Sequence, residues 1–406
     1  MGTEVGKIMQ LTTNKNENDF SYLDNTSVYL DSACQTLRPQ QVIDAMAEYY
    51  HKYNSCGGRV KYDWGAKLDE QIRETRNKVL SFVGKSPSEF TVAFTLNTTY
   101  GVNLVLGQLP FKFKRIVTSD IEHNSVFLPT MTAAKRLGIP RIVFQRLSDG
   151  SLAYKKDDLS GAVVVLNCMS NIDGRELVNL KEVASDAHKA GGIVLIDAAQ
   201  GISHAQKIVR ESGFDGLFFS GHKMYGPSIG VIVIKKSLLT ELDINFIGGG
   251  MVEGVEAEAY RLISDPDDLN SRLEVGLQDF AGIVGLNACL DWLKSYRPAG
   301  MPADTYQGQL AKFLFEELSK ISGLKLINSS PSPIVSFYSD KIDAHRLAIF
   351  LSAQNIMVRS GYFCCHYYLK NLKKYPPLVR VSLGLNNTKE QVESFVNTLQ
   401  TIMIHA

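Results

Sequence analysis

The sequence predicts an α/β protein in which a mostly parallel seven-stranded sheet lies between helices. Seven short apolar segments indicate the strands, at residues 88–94, 115–120, 141–146, 162–168, 192–198, 216–220 and 230–236. Their apolar residues do not alternate with polar ones, which is typical of strands buried on both faces. Helical patterns such as residues 179–191 separate several of the segments, as expected for a parallel sheet. Such a sheet places its ligand site at the carboxyl ends of its strands.

The length of 406 residues predicts about two domains. We predict an N-terminal arm over residues 1–24, a large α/β domain over 25–264 and a smaller C-terminal α+β domain over 265–406. The C-terminal part alternates long helical patterns with strands such as 378–384. The segment 240–272, which is rich in Gly and Asp, is expected to be a loop that acts as a cover or a hinge over the cleft between the domains.

The composition argues against several classes of protein. With 43 Lys and Arg against 42 Asp and Glu, the net charge is +1, so a nucleic-acid-binding surface is not expected. The longest apolar runs fall short of the roughly 20 residues that span a bilayer, so no membrane partner is expected. The N-terminus lacks an apolar leader, and a cytoplasmic location with six reduced cysteines is the expectation.

Polar side chains follow several of the predicted strands. In chain order they are Thr98, Thr99, His123, Asn171, Asp197, Gln200, Ser220, His222 and Lys223. Taken singly, such a residue is also explained by a helix cap, a loop hydrogen bond or a solvated charge. Because parallel strands end at one edge of the sheet, we expect these side chains to form one site.

This set of side chains meets the needs of a pyridoxal phosphate enzyme. Such an enzyme uses a lysine to hold the cofactor's aldehyde as a Schiff base, and a carboxylate to keep the pyridine nitrogen protonated. Lys223 and Asp197 suit these two roles, and His123 suits a flat group stacked on the ring. The remaining candidates are Thr98, Thr99, Ser220 and His222 for the phosphate, and Gln200 and Asn171 for the phenolic oxygen.

Ordered motifs extend this pattern along nearly the whole chain. They include "VYLDSACQTLRPQQVIDAM", "FTLNTTYGVNLV", "EHNSVFLP", "DAAQ", "SGHKMYGPSIGV", "VRSGYFCCHYYL" and "VRVSLGLNNTKEQVESFV". The set resembles fold-type I pyridoxal phosphate enzymes of aminotransferase class V, and most closely the group II cysteine desulfurases and selenocysteine lyases. The resemblance implies pyridoxal 5'-phosphate as the cofactor and a homodimer with its active sites at the subunit interface.

The resemblance also implies a nucleophile and a substrate-binding arginine. In the family, the cysteine of an "R-[ST]-G-x-x-C" loop attacks the substrate's sulfur, and the loop "RSGYFC" places it at Cys364. Arg359 is a candidate cation for stabilising that thiolate, and Arg380 matches the arginine that binds the substrate carboxylate. The alternatives are a small buried hydrophobe at Cys364 and a structural ion pair at Arg380. Cys365 is expected to be structural.

The implied reaction converts L-cysteine to L-alanine and leaves a persulfide on Cys364. The sulfur would pass to an acceptor protein for iron–sulfur cluster or thio-cofactor assembly, with Lys223 as the proton shuttle and His123 assisting the leaving group. The alternatives are a selenocysteine lyase, another class V enzyme (a C–S lyase, an epimerase-like enzyme or an aminotransferase), or a catalytically silent binding partner. A nicotinamide enzyme and a metal hydrolase are disfavoured, because no G-x-G-x-x-G follows an early strand and no metal-ligand motif is present.

Several segments depart from the family pattern. The segment "NCMSN" has Cys168 where the family has His, and "RSGYFCCHYY" has Tyr362 and Phe363 in place of two His. The segment "LEVGLQDF" lacks the hydroxyl that reaches a phosphate across the dimer, and Gln278 is its candidate substitute. Residues 54–68 also differ, and Arg59 among them is a candidate for a substrate-cleft or interface role.

Overall fold

The computed structural model describes residues 19–24, 26–58 and 60–406. In this part of the chain the α-helices are α1 (Gln40–Lys52), α2 (Asp63–Phe82), α3 (Thr98–Gly107), α4 (Asn124–Leu137), α5 (Leu180–Lys189), α6 (Gly201–His204), α7 (Gln206–Glu211), α8 (Lys236–Glu241), α9 (Phe280–Ser295), α10 (Ala303–Ser319), α11 (Ala344–Ser352) and α12 (Lys389–His405). No helix of these residues is long and apolar enough to cross a membrane.

The strands belong to one large sheet, one smaller sheet and two short pairs. They are β1 (Val28–Tyr29), β2 (Phe90–Thr95), β3 (Arg115–Ser119), β4 (Arg141–Arg146), β5 (Leu152–Ala153), β6 (Ala162–Asn167), β7 (Ile193–Asp197), β8 (Gly216–Ser220), β9 (Gly230–Lys235), β10 (Val252–Val255), β11 (Tyr260–Leu262), β12 (Leu324–Leu326), β13 (Ile334–Ser339), β14 (Ile356–Met357), β15 (Arg359–Gly361) and β16 (Leu378–Ser382). Strands β10 and β11 form an antiparallel hairpin within the segment expected to be a loop.

The large sheet has the order β2-β9-β8-β7-β6-β3-β4-β5 and is mostly parallel. Its seven longer strands are the predicted ones, and the α/β prediction is confirmed. The eighth strand, Leu152–Ala153, pairs antiparallel with β4 and is too short to show an apolar pattern in the sequence. Successive residues of β6 enter cores on opposite faces of the sheet, with Val164 in one core and Val165 in the other. This two-sided burial explains why the strands are apolar throughout.

The C-terminal part forms an antiparallel sheet of order β12-β13-β16-β15, packed against α10, α11 and α12. Strand β1 pairs in parallel with β14, and Val28 and Leu30 lie in the core of this C-terminal sheet. Helix α9 packs against α1 and α2 on the side of the large sheet. The domain boundaries given above stay a prediction.

Candidate active site

A cavity of about 340 Å³ opens at the carboxyl ends of β2, β3, β6, β7 and β8. It is lined by all the candidate residues that the structure describes except Gln278, namely Thr98, Thr99, His123, Asn171, Asp197, Gln200, Ser220, His222, Lys223, Arg359, Cys364 and Arg380. Arg59 lies outside the described residues, so its role stays a prediction. Gln278 lines a separate cavity of about 880 Å³.

Lys223 stands on a tight turn that follows β8. A side chain at Gly221 would place its Cβ 2.5 Å from the carbonyl oxygen of Pro227, so the close approach requires glycine. Tyr225 has a positive φ of 71°. Its N–H donates to Thr36 Oγ1 at 2.6 Å, and its hydroxyl accepts from the Leu385 N–H at 2.7 Å. These contacts fix the turn and therefore the direction of the lysine side chain.

Lys223 and Asp197 are a buried pair of opposite charge. Burial lowers the pKa of Lys223 and the Arg380 charge lowers it further, while the Asp197 carboxylate opposes both. Burial raises the pKa of Asp197, opposed by a hydrogen bond from the Ala199 N–H to Oδ1 at 2.8 Å and by the Lys223 charge. The amine therefore loses its proton more readily than a surface lysine does.

His123 is the N-cap residue of α4. Its Nδ1 accepts a hydrogen bond from the Ser125 N–H at 3.0 Å, so Nε2 carries the proton of the neutral ring. Burial lowers the pKa of His123 to about 3, with further lowering by Lys223 and Arg380. The imidazole is consequently neutral at physiological pH.

Hydroxyl groups gather at the N-terminus of α3. Ser220 Oγ accepts from the Thr98 N–H at 2.9 Å and lies 2.7 Å from Thr98 Oγ1. The hydroxyls of Thr99 and Ser125 lie 2.6 Å apart. Together with the helix N-terminus, these hydroxyls form a site suited to a phosphate.

Two amides predicted to bind a cofactor oxygen also hold protein loops. Gln200 Nε2 donates to the Ala33 carbonyl at 2.6 Å. Asn171 Nδ2 donates to the Phe363 carbonyl at 2.8 Å, and its Oδ1 accepts from the Cys365 thiol at 3.0 Å. Each NH₂ group has two protons, so each amide keeps one for a ligand.

Cys364 is exposed on a loop whose backbone is strained. Phe363 and Cys364 have positive φ angles of 47° and 57°, which non-glycine residues adopt only when the surroundings hold them there. The Asn124 N–H donates to the Cys364 carbonyl at 2.7 Å and helps to hold it. Cys365 points the other way into the core, and burial raises the pKa of its thiol. The two adjacent thiols therefore have different environments, with only Cys364 lining the cavity.

Arg359 and Arg380 are neighbours across β15 and β16. Asp31 compensates the two like charges, with Oδ2 at 2.8 Å from Arg359 Nη2 and Oδ1 at 3.4 Å from Arg380 Nη2. Arg380 also donates through Nη1 to the Asn171 carbonyl at 3.0 Å, while its buried Nε has no partner among the described residues. Nη1 and Nη2 each carry a second N–H, and Arg380 lines the cavity, so the guanidinium is available to a carboxylate there.

The sequence interpretation missed some residues that line the cavity. They include Cys34, Asn97, Ser125 and Asn167. Ser125 had a local signal, since it lies two residues after His123. Asn167 ends β6, and its Oδ1 is buried without a partner in the described part of the chain. Cys34 had no local signal, because it precedes the first helix and is placed at the site by long-range contacts, which include the pairing of β1 with β14 and the bond from Gln200 to the Ala33 carbonyl.

Glu122 is a buried residue that hydrogen-bonds to Asn167 in the cavity wall, and its pKa can be tested through the pH dependence of stability. Its Oε1 accepts from Ser119 Oγ at 2.6 Å, and its Oε2 accepts from the Asn167 N–H at 2.8 Å. Burial raises the pKa of Glu122 from 4.5 to about 7. At pH values between 4.5 and about 7, the carboxyl group is ionised in the unfolded chain but keeps its proton in the native state. The free energy of unfolding therefore falls as pH rises through this range, by up to about 3 kcal/mol.

We expect Glu122→Gln to remove this fall in stability, because glutamine does not titrate. Urea unfolding at several pH values from about 5 to about 8 measures it. The exposed Glu89→Gln is the matched control and should keep the wild-type pH dependence. An unchanged pH dependence in Glu122→Gln would contradict the raised pKa.

This fold is that of the fold-type I pyridoxal phosphate-dependent enzymes. A profile of the family "Aminotransferase class-V" matches residues 28–395, and the chain belongs to this family.

Several proteins that are similar to this chain are described as cysteine desulfurases. A probable cysteine desulfurase from Haemophilus influenzae is 33% identical over 385 residues, which are 93% of this chain and 86% of that protein. A cysteine desulfurase from Thermococcus onnurineus NA1 has a TM-score of 0.85 and 29% identity, over 94% of this chain and 96% of that one. One from Escherichia coli has a TM-score of 0.83 and 26% identity, over 95% and 97% of the two chains.

Proposed function

We propose that the protein is a pyridoxal phosphate-dependent cysteine desulfurase that converts L-cysteine to L-alanine and keeps the sulfur as a persulfide on Cys364. The observation that carries the proposal is the position of Cys364, which lines the same cavity as Lys223, Asp197 and Arg380. The similar proteins named above support the same activity.

The residues of the cavity fit pyridoxal phosphate. Asp197 Oδ2 has no hydrogen-bond partner in the described part of the chain and is free to bind a pyridinium N–H. Lys223 would hold the aldehyde carbon, and Thr98, Thr99 and Ser220 would bind the phosphate at the N-terminus of α3. When bound, this cofactor supplies an aldehyde for the substrate's amino group and a ring that accepts electrons from Cα.

The protein's own groups account for the remaining steps. Arg380 would bind the substrate carboxylate, since its guanidinium is held by Asn171 and Asp31 and the residue lines the cavity. Lys223 Nζ would take the proton from Cα, which its lowered pKa favours. The Cys364 thiolate would attack the substrate's sulfur, so that an S–S bond forms while the C–S bond breaks. L-Cysteine and one thiol thus give L-alanine and one persulfide, and no oxidant is required.

The partners of this activity are part of the proposal. An acceptor protein would take the persulfide sulfur for iron–sulfur cluster or thio-cofactor assembly. A homodimer is proposed from the family resemblance, and a cytoplasmic location is proposed with it. Arg359 is proposed to hold Asp31 in place and so to orient Arg380 in the substrate site.

The test is an incubation of the cofactor-loaded protein with L-cysteine, with and without a thiol reductant. We expect alanine in both cases, sulfide when the reductant is present, and a persulfide on the Cys364 peptide when it is absent. Pyruvate with sulfide would instead indicate β-elimination by a C–S lyase. Pyruvate, or no product from a protein that binds the cofactor, would contradict the proposal.

A further inference from the structure

A second cysteine, Cys34, lines the cavity that contains Lys223 and Cys364. Its loop is anchored on both sides. The Ala33 N–H donates to Ser382 Oγ at 2.9 Å, and the Thr36 N–H donates to the His222 carbonyl at 2.8 Å. Cys34 is partly exposed and is not part of a disulfide. The fold thus holds this thiol in the site through long-range contacts.

The loops of Cys34 and Cys364 are connected by an ion pair. Asp31, three residues before Cys34, binds Arg359, five residues before Cys364, with Nε–Oδ1 and Nη2–Oδ2 distances of 3.2 and 2.8 Å. A two-point contact between a guanidinium and a carboxylate fixes orientation as well as distance. The two loops are therefore held beside each other at one side of the cavity.

The electrostatic surroundings of the two thiols also overlap. Both Cys34 and Cys364 lie close enough to Lys223 to interact with its charge. Cys34 is in addition within range of the Arg359 and Arg380 guanidinium groups. A persulfide or thiolate on either residue would interact with Lys223, so moving sulfur between the two residues would keep the negative charge near this side chain.

We propose that Cys34 is a second sulfur carrier, which takes the outer sulfur of the Cys364 persulfide. This inference rests on the proposed function. The Cys34 thiolate attacks the outer sulfur, a new S–S bond forms on Cys34, and the Cys364 thiolate leaves. One thiol and one persulfide are consumed and one of each is formed, so the step needs no oxidant or reductant. Cys364 is then free to react with a second molecule of L-cysteine.

The outer sulfur is the expected point of attack. It extends about 2 Å beyond the Cys364 sulfur, the length of an S–S bond. Because both residues line one cavity, the outer sulfur can meet the Cys34 thiol across a longer separation of the two side chains than the inner sulfur can. Attack on the inner sulfur would give a Cys34–Cys364 disulfide and release hydrosulfide.

The test counts alanine formed by the holoenzyme with a few equivalents of L-cysteine, by rapid quench without added reductant. We expect a burst of about two alanines per active site in the wild type, and about one in Cys34→Ala and Cys34→Ser, because only Cys364 then stores sulfur. Cys56→Ala removes an exposed thiol that lines the other cavity and should keep the wild-type burst. Cofactor absorbance shows whether each variant is folded and loaded.

Alkylation and peptide mass spectrometry identify the sulfur carriers. We expect persulfides on the Cys34 and Cys364 peptides in the wild type, and on neither in Cys364→Ser, because Cys34 receives its sulfur from Cys364. A one-alanine burst with sulfur on Cys364 alone, or a Cys34–Cys364 disulfide, would overturn the inference while leaving the proposed function intact. Failure of the wild type to form any alanine would overturn both.

Discussion

Lys223→Ala is expected to lower kcat for alanine formation from L-cysteine by about 10³-fold or more. The loss is large because one amine is proposed both to bind the cofactor and to move the substrate's Cα proton. Borohydride reduction of the wild-type holoenzyme should leave the cofactor covalently attached to the Lys223 peptide, where mass spectrometry detects it. The variant should show no covalent attachment.

The control for this prediction is Lys207→Ala, which removes an exposed lysine of α7. It should keep the wild-type rate and the covalent label on Lys223. Near-normal turnover by Lys223→Ala, or a label on a different lysine of the wild type, would show that the assignment of Lys223 is wrong.

Cys364→Ser is expected to abolish persulfide formation and to lower alanine formation from L-cysteine by at least about 10²-fold. A hydroxyl at this position is a far weaker nucleophile toward sulfur than a thiolate. Cofactor binding should be unchanged, because Cys364 lies on the C-terminal loop and the proposed cofactor contacts come from the large sheet. The measurements are alanine production, persulfide mapping and the visible absorbance of the bound cofactor.

Cys364→Ser also distinguishes a cysteine desulfurase from a selenocysteine lyase, the two activities between which the sequence does not decide. Retained selenide release from L-selenocysteine, with desulfuration lost, would identify the protein as a selenocysteine lyase. Retained desulfuration by Cys364→Ser would exclude Cys364 as the nucleophile. Cys56→Ser is the control and should behave as the wild type with both substrates.

The fold and most of the site could be predicted because their signals are local. Each strand of the large sheet is a short apolar run, and Asp197, Ser220 and Lys223 follow such runs directly. Parallel topology then brings these strand ends together without any further information from the sequence.

The remaining features depend on long-range contacts. Cys34 reaches the cavity because β1 joins β14 from the opposite end of the chain. Asn171 has a second role, because it holds the Phe363 carbonyl and the Cys365 thiol. These partners lie 192 and 194 residues further along the chain, so the contacts depend on how the fold brings two distant loops together. No sequence pattern within either loop indicates these partners.

The short segment from Asp31 to Thr36 limits how far the two sides of the active site can separate. The backbone of Asp31 forms an isolated parallel β-bridge with Ser382 of the C-terminal sheet. The Thr36 N–H donates to the His222 carbonyl at 2.8 Å, beside Lys223. A fully extended chain between these anchors reaches about 17 Å. With both anchors intact, the segment is a tether that sets the largest distance between them, and Cys34, which lies within it, stays in the cavity wall.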